Sequence, residues 1–407
     1  MAGRWRKIKW PVICLAVAGA AYKIFSNYRM SRQRLHSQQE DKAGGLSAEE
    51  IAERLRKNER RQSVVVPSRV SHYTSNSLPS NVPTEDRHSS HVIHDDSVLL
   101  FGVYDGHSGW QVSEQLSKRL GPRVDLELKK ERSIDNDFSE LLKRVFVSLD
   151  NDIGLKCLKL AEKGLDSEVA ETAAAGSCAV VATIQGDELI IANTGDCRAV
   201  LAVRQPDGKS YKAIELTLDQ DANNPDEVNR LLSEHPGEEH TVWQRNRLFG
   251  QLQPLRSFGD FRYKWTLQQQ EKSLHKWYGR QATPHNYVTP PYLTAEPVIT
   301  RHRLSPNDAF LVLATDGLWE KLNSDRVVCL VGEHIHEMSR RRDIGNGDDV
   351  RFDSNPSTHL IRHALGGKDD VKLSVMLTTE PPFVRWLRDD ITVVVIFFKQ
   401  TEIRSKL

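Results

Sequence analysis

Apolar positions along the chain fall into two kinds of run. The first kind is short and unbroken, and ends in a turn: SVLLFGVYDG (97–106), SCAVVATI (177–184), LIIAN (189–193), RAVLAVR (198–204), DAFLVLATDG (308–317) and DDITVVVIFF (389–398). Runs of this length with no polar face predict strands buried on both sides. QGDE at 185–188 and TGDC at 194–197 are connections too short for anything but antiparallel pairing. The second kind repeats at helical spacing: WQVSEQLSKRL (110–120), 138–165, PDEVNRLLSEH (225–235), SDRVVCLVGEHIHEM (324–338) and STHLIRHAL (357–365). Antiparallel strands with helices grouped in pairs predict an α+β layered fold, with helices covering the sheets, and exclude a doubly wound parallel sheet.

Upstream of these runs the pattern changes. Ser47 and Glu50 form a capping-box signature, which predicts a short helix from about Ala48 to Arg60. The stretch 64–83 is polar and broken by prolines, and reads as an extended lead-in. The expected organisation is therefore a distinct segment at 1–39, a polar lead-in with one helix at 40–78, and a catalytic domain at 79–400.

Composition narrows the classes. The 407 residues carry 56 Lys and Arg against 55 Asp and Glu, a net charge of +1, which gives no reason to expect a nucleic-acid binder. Five scattered cysteines without C-x-x-C suggest neither a zinc cluster nor a disulfide framework, and fit a reducing compartment. No cysteine has an arginine six residues on, so the thiol-nucleophile pattern of tyrosine phosphatases is absent, as is a G-x-S-x-G elbow.

Residues 1–39 contain no acid, and their basic residues flank the apolar run Trp10 to Tyr22. That run is short of the ~20 residues a spanning helix needs. Three readings stay open: a mitochondrial presequence, a secretory signal and a retained membrane anchor.

Candidate chemistry lies at strand ends: Glu85 and Asp86 in TEDR, Asp105 in VYDGHSG, Asp196 in NTGDCR, Asp260 in SFGDF, Asp316 in LATDGLWE, and Asp389 and Asp390 in RDDIT. One strand-end Asp-Gly is ordinarily a turn. A repeated set without His/Cys clusters instead fits oxygen-ligand sites for Mg2+ or Mn2+.

The motifs EDR, VYDGHSG, GSCAVVATI, ANTGDCRAVLA, SFGDF, TAEP, LVLATDGLWE and RDDITVVV stand in the order and spacing of the type 2C metal-dependent protein serine/threonine phosphatases, which the chain resembles over about residues 79–398. The resemblance implies a sandwich of two antiparallel β-sheets flanked by pairs of helices. It implies two Mg2+ or Mn2+ ions sharing a water that attacks phosphorus, with a third, weaker site. By the same likeness, Asp105 would bridge both ions, Gly106 would ligate through its carbonyl, Glu85 would serve one ion and Asp316 with Asp389 the other. Asp196 would hold the third, and His107 would protonate the leaving group. Glu320 occupies a position that is often Asp in the family, and Asp86, adjacent to Glu85, is expected either to support the metal-binding residues or to be structural.

One departure concerns position 81, where the family often has an arginine that grips the substrate phosphate and this chain has Asn81. An amide brings hydrogen bonds without charge. That departure, with SFGDFRYKW, PPYLTAEP and STHLIRHALGG, resembles the pyruvate dehydrogenase phosphatase branch, which is mitochondrial. The branch implies a phosphoserine substrate on the E1 component of the pyruvate dehydrogenase complex and docking to its lipoyl-bearing E2. It also leaves room for a regulatory subunit, and the N-terminal segment for membrane association. Two alternatives stand beside it: an inactive member acting as a scaffold, and an active phosphatase with another mitochondrial substrate.

Overall fold

In the computed structural model, residues 45–130, 137–164, 166–344 and 349–399 are described. The segment expected to target or anchor the chain, 1–39, lies outside them. Among the described residues no helix is long and apolar enough to cross a membrane.

The chain opens with α1 (Ala48–Arg56), whose capping box is formed on both sides: Ser47 Oγ accepts from the Glu50 N–H, and the Glu50 carboxylate accepts from the Ser47 N–H. Four strands follow: β1 (Arg60–Ser63), β2 (Val70–Leu78), β3 (Arg87–Ile93) and β4 (Val98–His107). Helices α2 (Gln111–Lys130), α3 (Phe138–Lys163) and α4 (Ser167–Ala174) come next. Then come β5 (Gly176–Gln185), β6 (Glu188–Thr194), β7 (Arg198–Arg204) and β8 (Tyr211–Glu215). Beyond α5 (Pro225–Glu234), the small pair β9 (Trp243–Gln244) and β10 (Arg247–Leu248) precedes β11 (Phe258–Gly259). The chain closes with β12 (Val298–Arg303), β13 (Asp308–Ala314), α6 (Ser324–Ile344), α7 (Pro356–Leu365), α8 (Asp370–Thr378) and β14 (Ile391–Phe398).

Two antiparallel sheets result. One has the order β1-β2-β14-β13-β7-β8, the other β12-β6-β5-β4-β3 with β11 paired to β5. Period-two alternation divides each central strand between two cores. In β4, Leu99, Phe101 and Val103 join Val180, Ile191, Leu311, Leu313, Val394 and Ile396 between the sheets. The alternate residues Val98, Leu100 and Tyr104 pack with Leu116, Leu120, Leu142 and Phe146 of α2 and α3. The expected sandwich is therefore present, and the unbroken apolar runs reflect strands covered on both faces.

Two local expectations are corrected. Helix α2 does not stop near Leu120 but runs through Gly121 and Pro122 to Lys130, because Leu116, Leu120, Val124 and Leu128 continue one buried stripe. Proline removes one backbone donor there, and the apolar stripe outweighs that loss. The stretch 64–78, expected as a lead-in, is extended but not outside the fold. Strand β2 lies between β1 and β14, with Leu78 opposite Ile391 and Thr74 opposite Val395, and the compact unit that holds it begins at Ser47.

β2 escapes an apolar-pattern reading because its buried centre is polar. Thr74, Ser75 and Asn76 are all at most 1% exposed. Thr74 Oγ1 lies 2.9 Å from Ser357 Oγ, and Asn76 Nδ2 donates to Leu55 O and to Thr358 Oγ1 at 2.7 and 2.8 Å. Hydrogen bonds to α1 and α7 thus replace apolar packing at the centre of this strand, while Val70 and Tyr73 join the core between the sheets. Asn76→Ala is expected to leave those buried acceptors unmet and to destabilise the chain by about 1–3 kcal/mol in urea unfolding.

Candidate active site

Antiparallel pairing places the C-terminal ends of β4, β6 and β13 on the same edge of the sandwich as the N-terminal ends of β3, β7 and β14. Glu85, Asp86, Asp105, Asp196, Asp316, Asp389 and Asp390 all flank those ends. Acids far apart in sequence thereby share one cleft.

Asp105, Asp196 and Asp316 come closest: each offers a carboxylate oxygen within 4.8 Å of the others. Asp105 sits in β4 opposite Cys178, and Asp316 follows the end of β13. Asp196 is held in the turn between β6 and β7, where the Gly195 N–H donates to Gln220 Oε1 at 2.7 Å and Gln220 Nε2 donates to Asn193 O at 3.0 Å. Expectation ranked Asp196 with an outer, weaker site, and the structure brings it into the tightest group. Glu85 and Asp389 are adjacent but not members of that triad, and Arg385 links them, at 3.3 Å from Glu85 and 3.5 Å from Asp389. Glu320 is exposed and 3.8 Å from Lys321. Asp86 is buried and accepts from Thr315 Oγ1 at 2.9 Å.

The glycines of the two Asp-Gly pairs in the cleft do not serve turns. Gly106 lies within β4, and a Cβ there would collide with the carbonyl oxygen of Glu85 and come 2.9 Å from Ser113 Oγ. Gly317 lies in the short helix Asp316–Trp319, where a Cβ would strike the Asp390 carbonyl oxygen. In both places a bare backbone lets a neighbouring acidic loop press against the Asp-bearing one.

Asp390, adjacent to a predicted site residue, organises that loop. Its carboxylate accepts from the N–H groups of Ser80, Asn81 (2.9 Å) and Glu85 (2.7 Å), and from Thr84 Oγ1 at 2.9 Å. Asn81, expected to face substrate phosphate, has its side-chain nitrogen 3.0 Å from Glu85 Oε2 and 3.2 Å from Asp390 Oδ2. Its amide hydrogens are thus engaged by the loop's own acids.

His107 also has a partner that motif order did not pair with it. Nε2 lies 2.6 Å from Asp260 Oδ2, and that carboxylate accepts from Ser257 Oγ at 2.7 Å. Asp260 reaches this place because β11 pairs with the start of β5, with Gly259 opposite Gly176. A Cβ at Gly176 would run into both His107 Nε2 and Asp260 Oδ2. The signal was present in SFGDF, but only pairing across the sheet shows which histidine the acid meets.

The electrostatics follow from burial and crowding. Burial pushes the Asp105 carboxyl well above the usual carboxylate range, and Asp316, Asp86, Asp196 and Asp389 push it further. Burial does the same to Asp316, with Asp196 and Asp389 adding to it, while a hydrogen bond from Asp105 opposes. Glu85 is raised by burial against the pull of Arg385, and Asp196 by burial against a hydrogen bond from Cys178. Burial disfavours charge on His107, but the Asp260 carboxylate, with Asp196 and Glu85 adding to it, outweighs burial and the ring is raised overall. Such a group of acids accepts either protons or cations. A set of hard oxygen donors without histidine or thiolate fits a divalent ion such as Mg2+ or Mn2+. Metal–oxygen bonds of about 2.0–2.6 Å span the separation found in the triad.

The family relationship is direct. Residues 36–353 match the model for protein phosphatase 2C, and the chain belongs to that family of metal-dependent enzymes. It is a protein serine/threonine phosphatase. It is 34% identical to the mitochondrial pyruvate dehydrogenase (acetyl-transferring) phosphatase 1 of Bos taurus, over 80% of this chain and 77% of that protein. A protein phosphatase 2C homolog of Schizosaccharomyces pombe is 37% identical over 86% of this chain and 85% of its own length. Among solved structures, a serine-threonine phosphatase 2C from Toxoplasma gondii has the same fold, with a TM-score of 0.53 at 20% identity over 84% of this chain and 99% of that one.

Gly106→Ala is expected to displace the loop that carries Glu85. It should destabilise the chain by about 1–3 kcal/mol in urea unfolding and remove metal-dependent phosphate release from a phosphopeptide.

Proposed function

We propose that this phosphatase acts in mitochondria on phosphoserine of the E1 component of the pyruvate dehydrogenase complex, docking through the lipoyl-bearing E2. The names and identities of its relatives support that substrate, and the basic, acid-free segment 1–39 supports the compartment. The observation that carries the catalytic reading is the mutual approach of the Asp105, Asp196 and Asp316 carboxylates in a partly buried cleft.

In this reading Asp105 and the Gly106 carbonyl hold two Mg2+ or Mn2+ ions together with Glu85, Asp316 and Asp389, and Asp196 serves a third. Cations bound there would activate water and neutralise phosphoryl charge. The chain's own residues do the rest. The leaving serine oxygen needs a proton, and His107 supplies it. With Nε2 held by Asp260, Nδ1 is the nitrogen left to face the leaving group. Asp260 acts through His107 as a positioning residue, fixing the ring and favouring its protonated form.

Asp105→Ala and Asp316→Ala are expected to abolish Mg2+-dependent phosphate release. They should also flatten the rise of Tm with Mg2+, which for a cation at about 100 times its Kd amounts to roughly 2.7 kcal/mol of stabilisation. His107→Ala should slow turnover by about 10²–10⁴-fold on alkyl phosphates and less on aryl phosphates. Equal slowing across the series would remove the acid role. Purified protein should dephosphorylate phosphorylated E1 in preference to unrelated phosphoproteins, and equal rates on both would overturn the substrate assignment.

A further inference from the structure

A phosphate monoester entering this cleft is a dianion approaching a set of carboxylates. Divalent cations balance part of that charge, but the substrate must also be oriented by a group of the chain itself. Among the described residues, Arg385 is the one arginine or lysine in an ion pair with any of Glu85, Asp105, Asp196, Asp316 and Asp389. The nearby Arg388 is buried and committed, donating to Ser80 Oγ at 2.5 Å and to Met376 O at 3.2 Å. The Asn81 amide is taken by Glu85 and Asp390 and carries no charge.

Arg385 differs from both. Its side chain is 44% exposed, and its contacts with Glu85 and Asp389, at 3.3 and 3.5 Å, are long. A charge-assisted pair in good geometry closes to about 2.7–2.9 Å. The guanidinium therefore spans two carboxylates without being tightly held by either. Its backbone, by contrast, is fixed. It lies in the short 3-10 helix Phe383–Trp386, where Val384 is buried, and three residues on Arg388 ties the segment to Ser80 in the loop that carries Glu85.

We propose that Arg385 is the side chain that grips the substrate phosphate, presenting its planar fork to two phosphoryl oxygens once Glu85 and Asp389 turn to cations. The fork matches two oxygens of one phosphoryl group, which a point charge or an amide does not. This rests on the proposed metal-dependent reading of the cleft. It places the charge needed for phosphate recognition on the segment before β14, on the opposite side of Glu85 from Asn81 in the chain.

The test uses the full chain saturated with Mg2+, comparing wild type with Arg385→Gln and Arg385→Lys. For a phosphoserine peptide, Arg385→Gln is expected to raise KM by about 10- to 100-fold, and to weaken competitive inhibition by inorganic phosphate by a similar factor. The Mg2+ concentration for half-maximal activity should stay as in wild type, and Arg385→Lys should recover part of the loss. Titration calorimetry of inorganic phosphate into the Mg2+-loaded proteins reads the same contact without turnover. An unchanged KM and unchanged phosphate binding would overturn the proposal. So would an effect confined to Mg2+ half-saturation, because Arg385 would then be only a counter-charge for Glu85 and Asp389. Loss of Mg2+-dependent activity in wild type would instead defeat the reading of the cleft, while calorimetry still reports on Arg385.

Discussion

Mutual repulsion among carboxylates crowded at one edge of a sandwich is the constraint on which the rest of this structure depends. Asp105, Asp196 and Asp316 approach within 4.8 Å of one another, with Glu85, Asp86, Asp389 and Asp390 around them. Burial removes the water that would screen them, so each raises the proton affinity of its neighbours. The hydrogen bond between Asp105 and Asp316 does not fully relieve that. Divalent cations do, so that metal dependence and the geometry of the acids are two aspects of one electrostatic fact. The same cations that settle the repulsion supply the charge a phosphoryl group needs.

Holding repelling groups together requires stiffness nearby, and the fold supplies it by three means. Asp105, Asp196, Asp316 and Asp389 stand at the ends of strands hydrogen-bonded on both sides, while Glu85 and Asp86 precede the edge strand β3. Glycines at 106, 176 and 317 let neighbouring backbones and side chains approach more closely than any Cβ would permit. Asp390 draws the loop 80–85 onto β14 through backbone and side-chain donors, which gives that carboxylate a bracing part distinct from its neighbour Asp389. A change in any of these moves an acid without touching its side chain.

Much of this was legible in the chain itself. Unbroken apolar runs and short connections sufficed for antiparallel strands covered by helices, because burial on both faces is written in composition. The strand-end acids were visible for a similar reason: a charged residue closing an apolar run has to lie at a sheet edge. The Ser47–Glu50 capping box needs only three intervening bonds along the chain and was equally plain.

What tertiary structure alone decided involves residues that are silent in pattern and meet only in space. β2 is a strand whose centre is polar, and it belongs to the sheet because Asn76 and Thr74 find partners in α1 and α7, nearly three hundred positions away in the case of α7. Asp260 becomes the partner of His107 through the pairing of β11 with β5, and Asp196 joins the central triad because the turn between β6 and β7 is pinned by Gln220. Asn81 turns inward and Arg385 reaches Glu85 across a separation of 300 residues. Sequence by itself determined which residue types stand at the sheet edges, since local patterning follows from burial. Which of them touch depended on long-range register, and no local pattern encodes that.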